Sequence, residues 1–413
     1  MRTLKSLLAV SLLLPALALA NGYDVPNVSP RDLSMSGSAS AAQNDAGATY
    51  GMSAALARLP GFNLSFNASM LVLKTDWTAP AGSGLTPATS SIDFAPVPPV
   101  SIFASYGFDL AGHRAGVGFG LNNPGGGAVN WDEQWAGRGR IITVDRKIFG
   151  AYLTGGVELL KQLRVGGGLV YYYGTEYLKQ GIQPFPDAYG ELSTKGGAVA
   201  FDVNAEVTPF ESVPLTVAAD YKYKGTMKLK GDGHFQVPPA LATSVQDQGV
   251  THELTYPAVL NVAVAWQVAR PVLVTAGVTY NWYEVYKSDT FVGSKGLVID
   301  VPRNYDNGIT WRLGVEFAAN EKLRLRAGLL RDLSGFKTDT YSPTLPDGNS
   351  WAGSVGAGYA FTRNLTANAG FFYASFDEVT ATGTEAFPGS YQTNAWILSG
   401  GISYQRDLAG GGK

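Results

Sequence analysis

The sequence predicts an all-β fold, a transmembrane antiparallel β-barrel of about fourteen strands. Three observations point there. Segment after segment alternates apolar and polar residues with period two. The connections alternate short and long along the chain. The first twenty residues carry the pattern of a secretory leader.

The leader comes first in the chain. Arg2 and Lys5 precede an apolar run from Leu7 to Leu19 that closes on Ala18-Leu19-Ala20, so residues 1–20 are expected to be a signal peptide with Asn21 as the mature start. The run is too short to cross a bilayer as a helix, and no later stretch offers the roughly 18 consecutive apolar residues a membrane helix needs. The chain contains no cysteine, which excludes a lipid-modified N-terminal cysteine, a disulfide framework and thiolate chemistry. A net charge of −2 with 15% charged residues leaves no basic field of the kind nucleic acid requires. Fifty-one glycines, 12% aromatics and near-zero mean hydropathy suit strands greasy on one face and polar on the other.

The strands show this directly. Val199, Phe201, Val203, Ala205 and Val207 interleave with Ala200, Asp202, Asn204 and Glu206. Ile309, Trp311, Leu313, Val315 and Phe317 interleave with Thr310, Arg312, Gly314, Glu316 and Ala318, and Leu365 to Tyr373 repeats the pattern. Read this way, strands fall near 62–73, 100–109, 114–122, 147–159, 163–178, 197–208, 214–230, 251–267, 271–287, 305–318, 323–333, 351–361, 364–377 and 391–405. The barrel then occupies 61–406, followed by a tail over 407–413. Tyr171, Tyr173, Tyr280, Trp282, Phe371 and Tyr373 are candidates for interfacial girdles; ordinary cross-strand packing is the alternative for each.

Short connections, such as Leu160 to Gln162 and Thr362 to Arg363, alternate with long ones, such as Asn123 to Arg146 and Ser288 to Asn304. Short periplasmic turns and long outer loops are what an outer-membrane barrel shows, and an even strand number returns both ends to the periplasm. A soluble β-sandwich also alternates, but it would show short connections throughout.

Residues 21–60 lie ahead of the first strand, rich in Ala, Ser, Gly and Asn and without sustained periodicity. Composition leaves two readings open, a plug in the lumen or a disordered tail.

Ser29-Pro30-Arg31-Asp32-Leu33-Ser34-Met35-Ser36-Gly37, followed by Asn44 to Tyr50 and Leu56-Ala57-Arg58-Leu59-Pro60-Gly61, resembles the N-terminal hatch of the FadL-type hydrophobic-compound transporters. The likeness continues at Trp131 to Arg138, Tyr256-Pro257, Trp311 to Gly314, Arg326 to Gly328 and Ser342 to Asp347, in family order over nearly the whole mature chain. The resemblance implies a fourteen-stranded barrel plugged by a hatch over 21–60. It also implies ligand capture by outer loops, a lumenal pocket, and lateral release through a gap beside a kinked third strand. Two positions depart from the family pattern. Met52-Ser53-Ala54 stands where the hatch usually reads Asn-Pro-Ala, and Tyr404 is followed by Gln405-Arg406 and the tail rather than ending on an aromatic residue.

Several residues become candidates for the site. Gly116, Gly118 and Gly120 run into Asn122-Asn123-Pro124-Gly125, a strand that bends easily; it opens a lateral gap by resemblance, or merely packs against a bulky hatch. A carboxylate desolvated in a greasy lumen needs a partner, and Arg138, Arg312, Arg324 and Arg326 could supply one. The same arginines could instead fill the lumen as ion pairs with Asp202, Glu206, Asp220 and Glu316. Phe185, Pro186 and Tyr189 in one outer loop, and Phe235, Val237, Pro238, Leu241 and Val245 in the next, are apolar groups hard to justify on an exposed loop unless they capture ligand or cap the barrel.

No catalytic residue, cofactor or metal is expected. Gly51-Met52-Ser53-Ala54-Ala55 lacks the second glycine of a nucleophile elbow, Gly166-Gly167-Gly168 falls within a strand, and His252-Glu253 has no neighbouring ligand in sequence. The sequence therefore leads to passive, ligand-gated uptake of long-chain fatty acids or similar lipophiles across the outer membrane of a Gram-negative bacterium. The expected partners are that cargo, outer-membrane lipid and the barrel assembly machinery, with the protein acting as a monomer. The runner-up is a general porin or structural barrel, and a hydrolase stands third.

Overall fold

The computed structural model describes residues 29–92 and 100–406. The expected signal peptide, the first residues of the expected hatch and the tail after Arg406 lie outside these residues.

Fourteen strand positions among the described residues close one antiparallel barrel. In chain order they are β1 Gly61–Thr78, β2 Val100–Leu110, β3 His113–Asn130, β4 Thr143–Leu160, β5 Leu163–Gly181 and β6 Tyr189–Val207. Next come β7 (Leu215–Lys222, continued by Gly225–Gln236), β8 (Gln248–Tyr256, continued by Val259–Ala269), β9 Val272–Asn281 and β10 Gly308–Ala318. The last four are β11 Leu323–Leu333, β12 Ser350–Ala360, β13 Leu365–Phe376 and β14 Gly389–Arg406. Closure runs from Phe62↔Arg406 to Thr78↔Ser390 along β1 and β14, so the sheet has no free edge there. No helix among the described residues is long and apolar enough to cross a membrane.

The period-two pattern sorts the faces as expected. Val199, Phe201 and Val203 point outward, as do Trp311, Leu313 and Phe317, while Asp202, Asn204 and Glu206 are buried in the lumen. An outward apolar band with Phe371, Tyr373 and Tyr171 exposed near its loop end is a surface only lipid would cover.

The strands are longer at the loop end than the apolar pattern suggests. Beyond the lipid-facing band the outward face turns polar, so the apolar-out contrast fades while the backbone ladder continues. Asn123-Pro124-Gly125 does not terminate β3; the strand absorbs it as a register shift between Asn122 and Gly125 and runs on to Asn130. Stretches expected to be loops also hold short strands, Ala88–Ile92 and the hairpin Ser288–Gly293/Val298–Pro302. β7 and β8 each break midway, the latter at Pro257, which cannot donate to the ladder. Their outer halves, with the hairpin paired to Val250–His252, form a wall above the lipid-facing band.

Residues 29–58 fill the lumen as short helical turns, beginning at Pro30–Leu33, where the Ser29 hydroxyl accepts from Asp32 N. Nearly every side chain in this segment is buried, and barrel residues satisfy its polar groups. The Arg31 Nε donates to Glu316 at 3.1 Å. Ser36 pairs with Ser354 at 2.8 Å and Ser38 with Thr275 at 2.6 Å. The segment is a plug, not a tail.

Candidate functional site

At the loop end, the outer halves of β4 to β7 and the 288–302 hairpin enclose a cavity of roughly 250 Å³. Ile141, Val144, Leu178, Leu192, Phe291 and Ile299 make its walls apolar, and Arg140, Arg146 and Arg303 place three guanidiniums on its lining. Alternation puts these groups there: Val144 and Arg146 on β4, and Leu178 on β5, share the inward face that Ile148 and Glu176 continue downward.

Two of the three arginines are already paired. The Arg146 guanidinium donates to Glu176 Oε1 at 2.9 Å through Nε and to Asp289 Oδ1 at 3.1 Å. Arg303 donates to Asp289 Oδ2 at 2.8 Å and also reaches Thr344. Burial would raise the Asp289 carboxyl, but Arg146 and Arg303 outweigh it and hold it well below the usual carboxylate range. Tyr286, pushed up to about 12 by burial, stays neutral and donates to Asp289 at 2.7 Å. His252 completes the network, with Nδ1 2.8 Å from Glu176. Its Nε2 lies 3.6 Å from Asp289, beyond hydrogen-bond range, so that interaction is Coulombic. Burial opposes the imidazolium, yet the two carboxylates prevail and raise the pKa to about 9. Arg140, exposed at the cavity mouth, carries no salt bridge among the described residues.

Beneath this network lies a buried cluster rich in tyrosine, including Tyr152, Tyr172, Tyr256, Tyr283, Tyr286 and Tyr305. It meets the plug where the Tyr50 ring packs edge-on against Tyr152 at 5.1 Å. The plug motif itself is anchored here. Asn204 Oδ1 accepts from Ala54 N at 2.7 Å and its Nδ2 donates to the Ser53 hydroxyl at 2.9 Å, while Met52 is fully buried.

Among the described residues, β2 pairs with β3 as far as Ile102↔Leu121 and with β1 as far as Ala68↔Val100. Among the described residues, β3 beyond Leu121 pairs with β4 alone. Further out, Asn130 N donates to the Ser90 hydroxyl at 2.9 Å. Leu71 and Leu73 on β1 and Ala128 on β3 belong to one buried apolar cluster with Leu33 of the plug.

Each of the three glycines of this strand stands where a side chain would collide with a neighbour. A Cβ on Gly116 would lie 2.5 Å from the Leu56 carbonyl oxygen, on Gly118 2.3 Å from Thr49 Oγ1, and on Gly120 2.3 Å from the Phe103 ring. The first two clear the plug and the third clears Phe103, while the bend lies above them at Asn122 to Gly125, around Pro124.

Of the expected loop residues, the structure brings Phe235 and Val245 to the cavity. Phe185, Tyr189, Val237 and Leu241 lie outside its lining. Arg138 is buried among loop carbonyls, donating to Glu133 O at 2.7 Å and Phe185 O at 3.2 Å. Arg326 donates to Glu316 at 2.6 Å and Asn368 at 2.9 Å, and Arg312 reaches Thr279 beside Gly37. Arg324 donates to the Asn320 carbonyl at 2.7 Å. The hairpin residues and Arg140, Arg146 and Arg303 were missed, although Gly293-Ser294-Lys295-Gly296 between two apolar runs is a legible hairpin signal.

The sequence matches, over residues 11–405, the family described as Outer membrane protein transport protein (OMPP1/FadL/TodX). No curated protein matches it. Among solved structures, a Pseudomonas aeruginosa FadL homologue aligns with TM-score 0.83 at 16% identity, covering 93% of this chain and 99% of that one. The Ralstonia pickettii toluene transporter TbuX aligns with TM-score 0.67 at 14% identity, covering 92% and 100%. The P. putida toluene transporter TodX aligns with TM-score 0.70 at 14% identity, covering 96% and 99%.

Proposed function

The chain belongs to the OMPP1/FadL/TodX family of outer membrane transport proteins, and from that premise we propose that it takes up long-chain fatty acids or similar amphipathic lipophiles by ligand-gated diffusion with lateral release. That it is a non-enzymatic transporter of hydrophobic compounds in the Gram-negative outer membrane follows from the family itself. The observation that carries the finer reading is the cavity, apolar on most of its lining and bordered by Arg140, which has no acidic partner among the described residues. A carboxylate entering an apolar site is stabilised by such a guanidinium, whereas Arg146 and Arg303 are committed to Glu176 and Asp289.

The route below supports release sideways rather than straight through. The plug occupies the lumen with side chains tied to the wall, which argues against a water-filled porin, and Leu71 and Leu73 on β1 and Ala128 on β3 make an apolar cluster with Leu33 of the plug. In this reading cargo binds under the hairpin, passes the tyrosine cluster, shifts the plug near Tyr50, and leaves between β1 and β3.

A second reading, uptake of aromatic hydrocarbons, is favoured by the tyrosine cluster and by the toluene transporters that share the fold. Uptake by a transporter-deficient host separates the two. With Arg140→Gln, oleate uptake should fall several-fold while toluene uptake is unchanged. Equal oleate uptake by the variant and the parent protein would reject the carboxylate assignment. Toluene uptake without oleate uptake in the parent would replace it by the hydrocarbon reading.

A further inference from the structure

A row of lysines crosses the outside of the barrel just above the lipid-facing band. Lys147 on β4 is in register with Thr175 on β5, Thr175 with Lys195 on β6, and Lys195 with Lys230 on β7. Residues in register share a face, and this face is the outward one. The next row toward the membrane is Phe149 and Tyr173, with ring centroids 6.5 Å apart, followed by Gly197 beneath the Tyr171 ring. Together these groups line a shallow groove of roughly 560 Å³ on the outer wall.

Its charges are unbalanced. Lys147 is paired with Asp145 at 2.8 Å. Lys195 and Lys230 are exposed, have no salt bridge among the described residues, and face each other directly across two strands. Asp232 lies one row further out. Like charges directly opposite destabilise a sheet, and an anion held between them reverses that cost. The groove floor, meanwhile, is an aromatic shelf at the height where acyl chains give way to headgroups.

We propose that this groove binds the phosphorylated headgroup of an outer-leaflet lipid, its phosphate bridging Lys195 and Lys230 and its proximal acyl chain lying on Phe149 and Tyr173. The site is independent of the cargo path, since it faces away from the lumen. Its occupancy would clamp β6 to the outer half of β7, which forms one wall of the ligand cavity.

Native mass spectrometry of the full protein in a mild detergent tests this, with lipid A, dephosphorylated lipid A and inorganic phosphate as probes. The parent protein should retain one lipid A and no more than a tenth as much of the dephosphorylated form. Lys195→Gln with Lys230→Gln should lower lipid A retention at least ten-fold, whereas Lys74→Gln, an exposed lysine on β1, should not. If the double variant fails to fold, as judged by heat-modifiable mobility, the comparison of the two lipid forms on the parent protein decides alone. Equal retention of both lipid forms, or unchanged retention by a folded double variant, overturns the proposal. So does inorganic phosphate binding that persists without lipid and displaces it.

Discussion

The Tyr256 hydroxyl donates to the Pro124 carbonyl at 3.1 Å, across the lumen from one broken strand to the bend of another. The bulge at Asn122 to Gly125 takes Pro124 out of register with β4, and Tyr256 supplies the partner its carbonyl lacks. The tyrosine belongs to the cluster between cavity and plug, so the bend of β3 is tied to the residues beneath the cavity.

Tyr256→Phe removes that bond and keeps the ring. A lost hydrogen bond of this kind costs about 1 kcal/mol, and the bulge should relax toward β2. Lateral release of a fluorescent fatty acid into liposomes should slow about five-fold. An unchanged release rate would show that the bend holds itself.

Gly116→Val places a branched side chain against the Leu56 backbone, which cannot move without the plug. The variant should show raised single-channel conductance and greater sensitivity of the host to large antibiotics. Gly353→Ala, where a Cβ meets nothing within 4 Å, is the matched control and should behave as the parent.

Asn204→Ala leaves Ala54 N buried without its acceptor, and removes a donor shared by Asp202 at 2.9 Å and Asp220 at 3.2 Å. An unsatisfied buried donor costs about 1–3 kcal/mol. Amide exchange at Ala54 should quicken about ten-fold or more, while exchange in β10 to β12 stays as it was. Uniform loss of protection would mean that the barrel, not the plug, had been weakened.

His252 gives the outer wall a pH dependence. Its pKa is raised in the folded state to about 9 from an ordinary 6.5. The stabilisation is therefore complete below about 6.5 and lost as pH climbs through about 9. The melting temperature in detergent should fall between pH 6.5 and 9.5, and the 288–302 hairpin should become cleavable by protease. In His252→Gln both pH effects should be largely absent. A parent protein with a flat profile over this range would place the neutral imidazole in the network.

Much of the barrel was legible in the sequence because period two is a one-dimensional signal. Val199 to Val207 states which residues meet lipid, and the pattern over 323–333 coincides with β11, Leu323–Leu333. The alternation of turn lengths fixed the direction of each strand. Where the outward face becomes polar the lipid-facing signal vanishes, and the outer ends of β1, β4 and β6 are not legible from it. Pro124 was read as an ending because proline breaks ladders, yet a bulge lets the strand continue past it.

The cavity was beyond reach for a different reason. Arg146, Glu176, His252, Asp289 and Arg303 come from five segments, and no spacing along the chain announces that they converge. Sequence alone determined that this chain would form a lipid-facing barrel, since side-chain alternation and the demand that every backbone group be paired leave few other solutions. Only the tertiary structure decided that Gly116 and Gly118 make room for the plug, that β3 runs on past Pro124, and that Arg140 has no acidic partner among the described residues. Those outcomes depend on which residues barrel closure brings face to face, and closure is a property of the whole sheet.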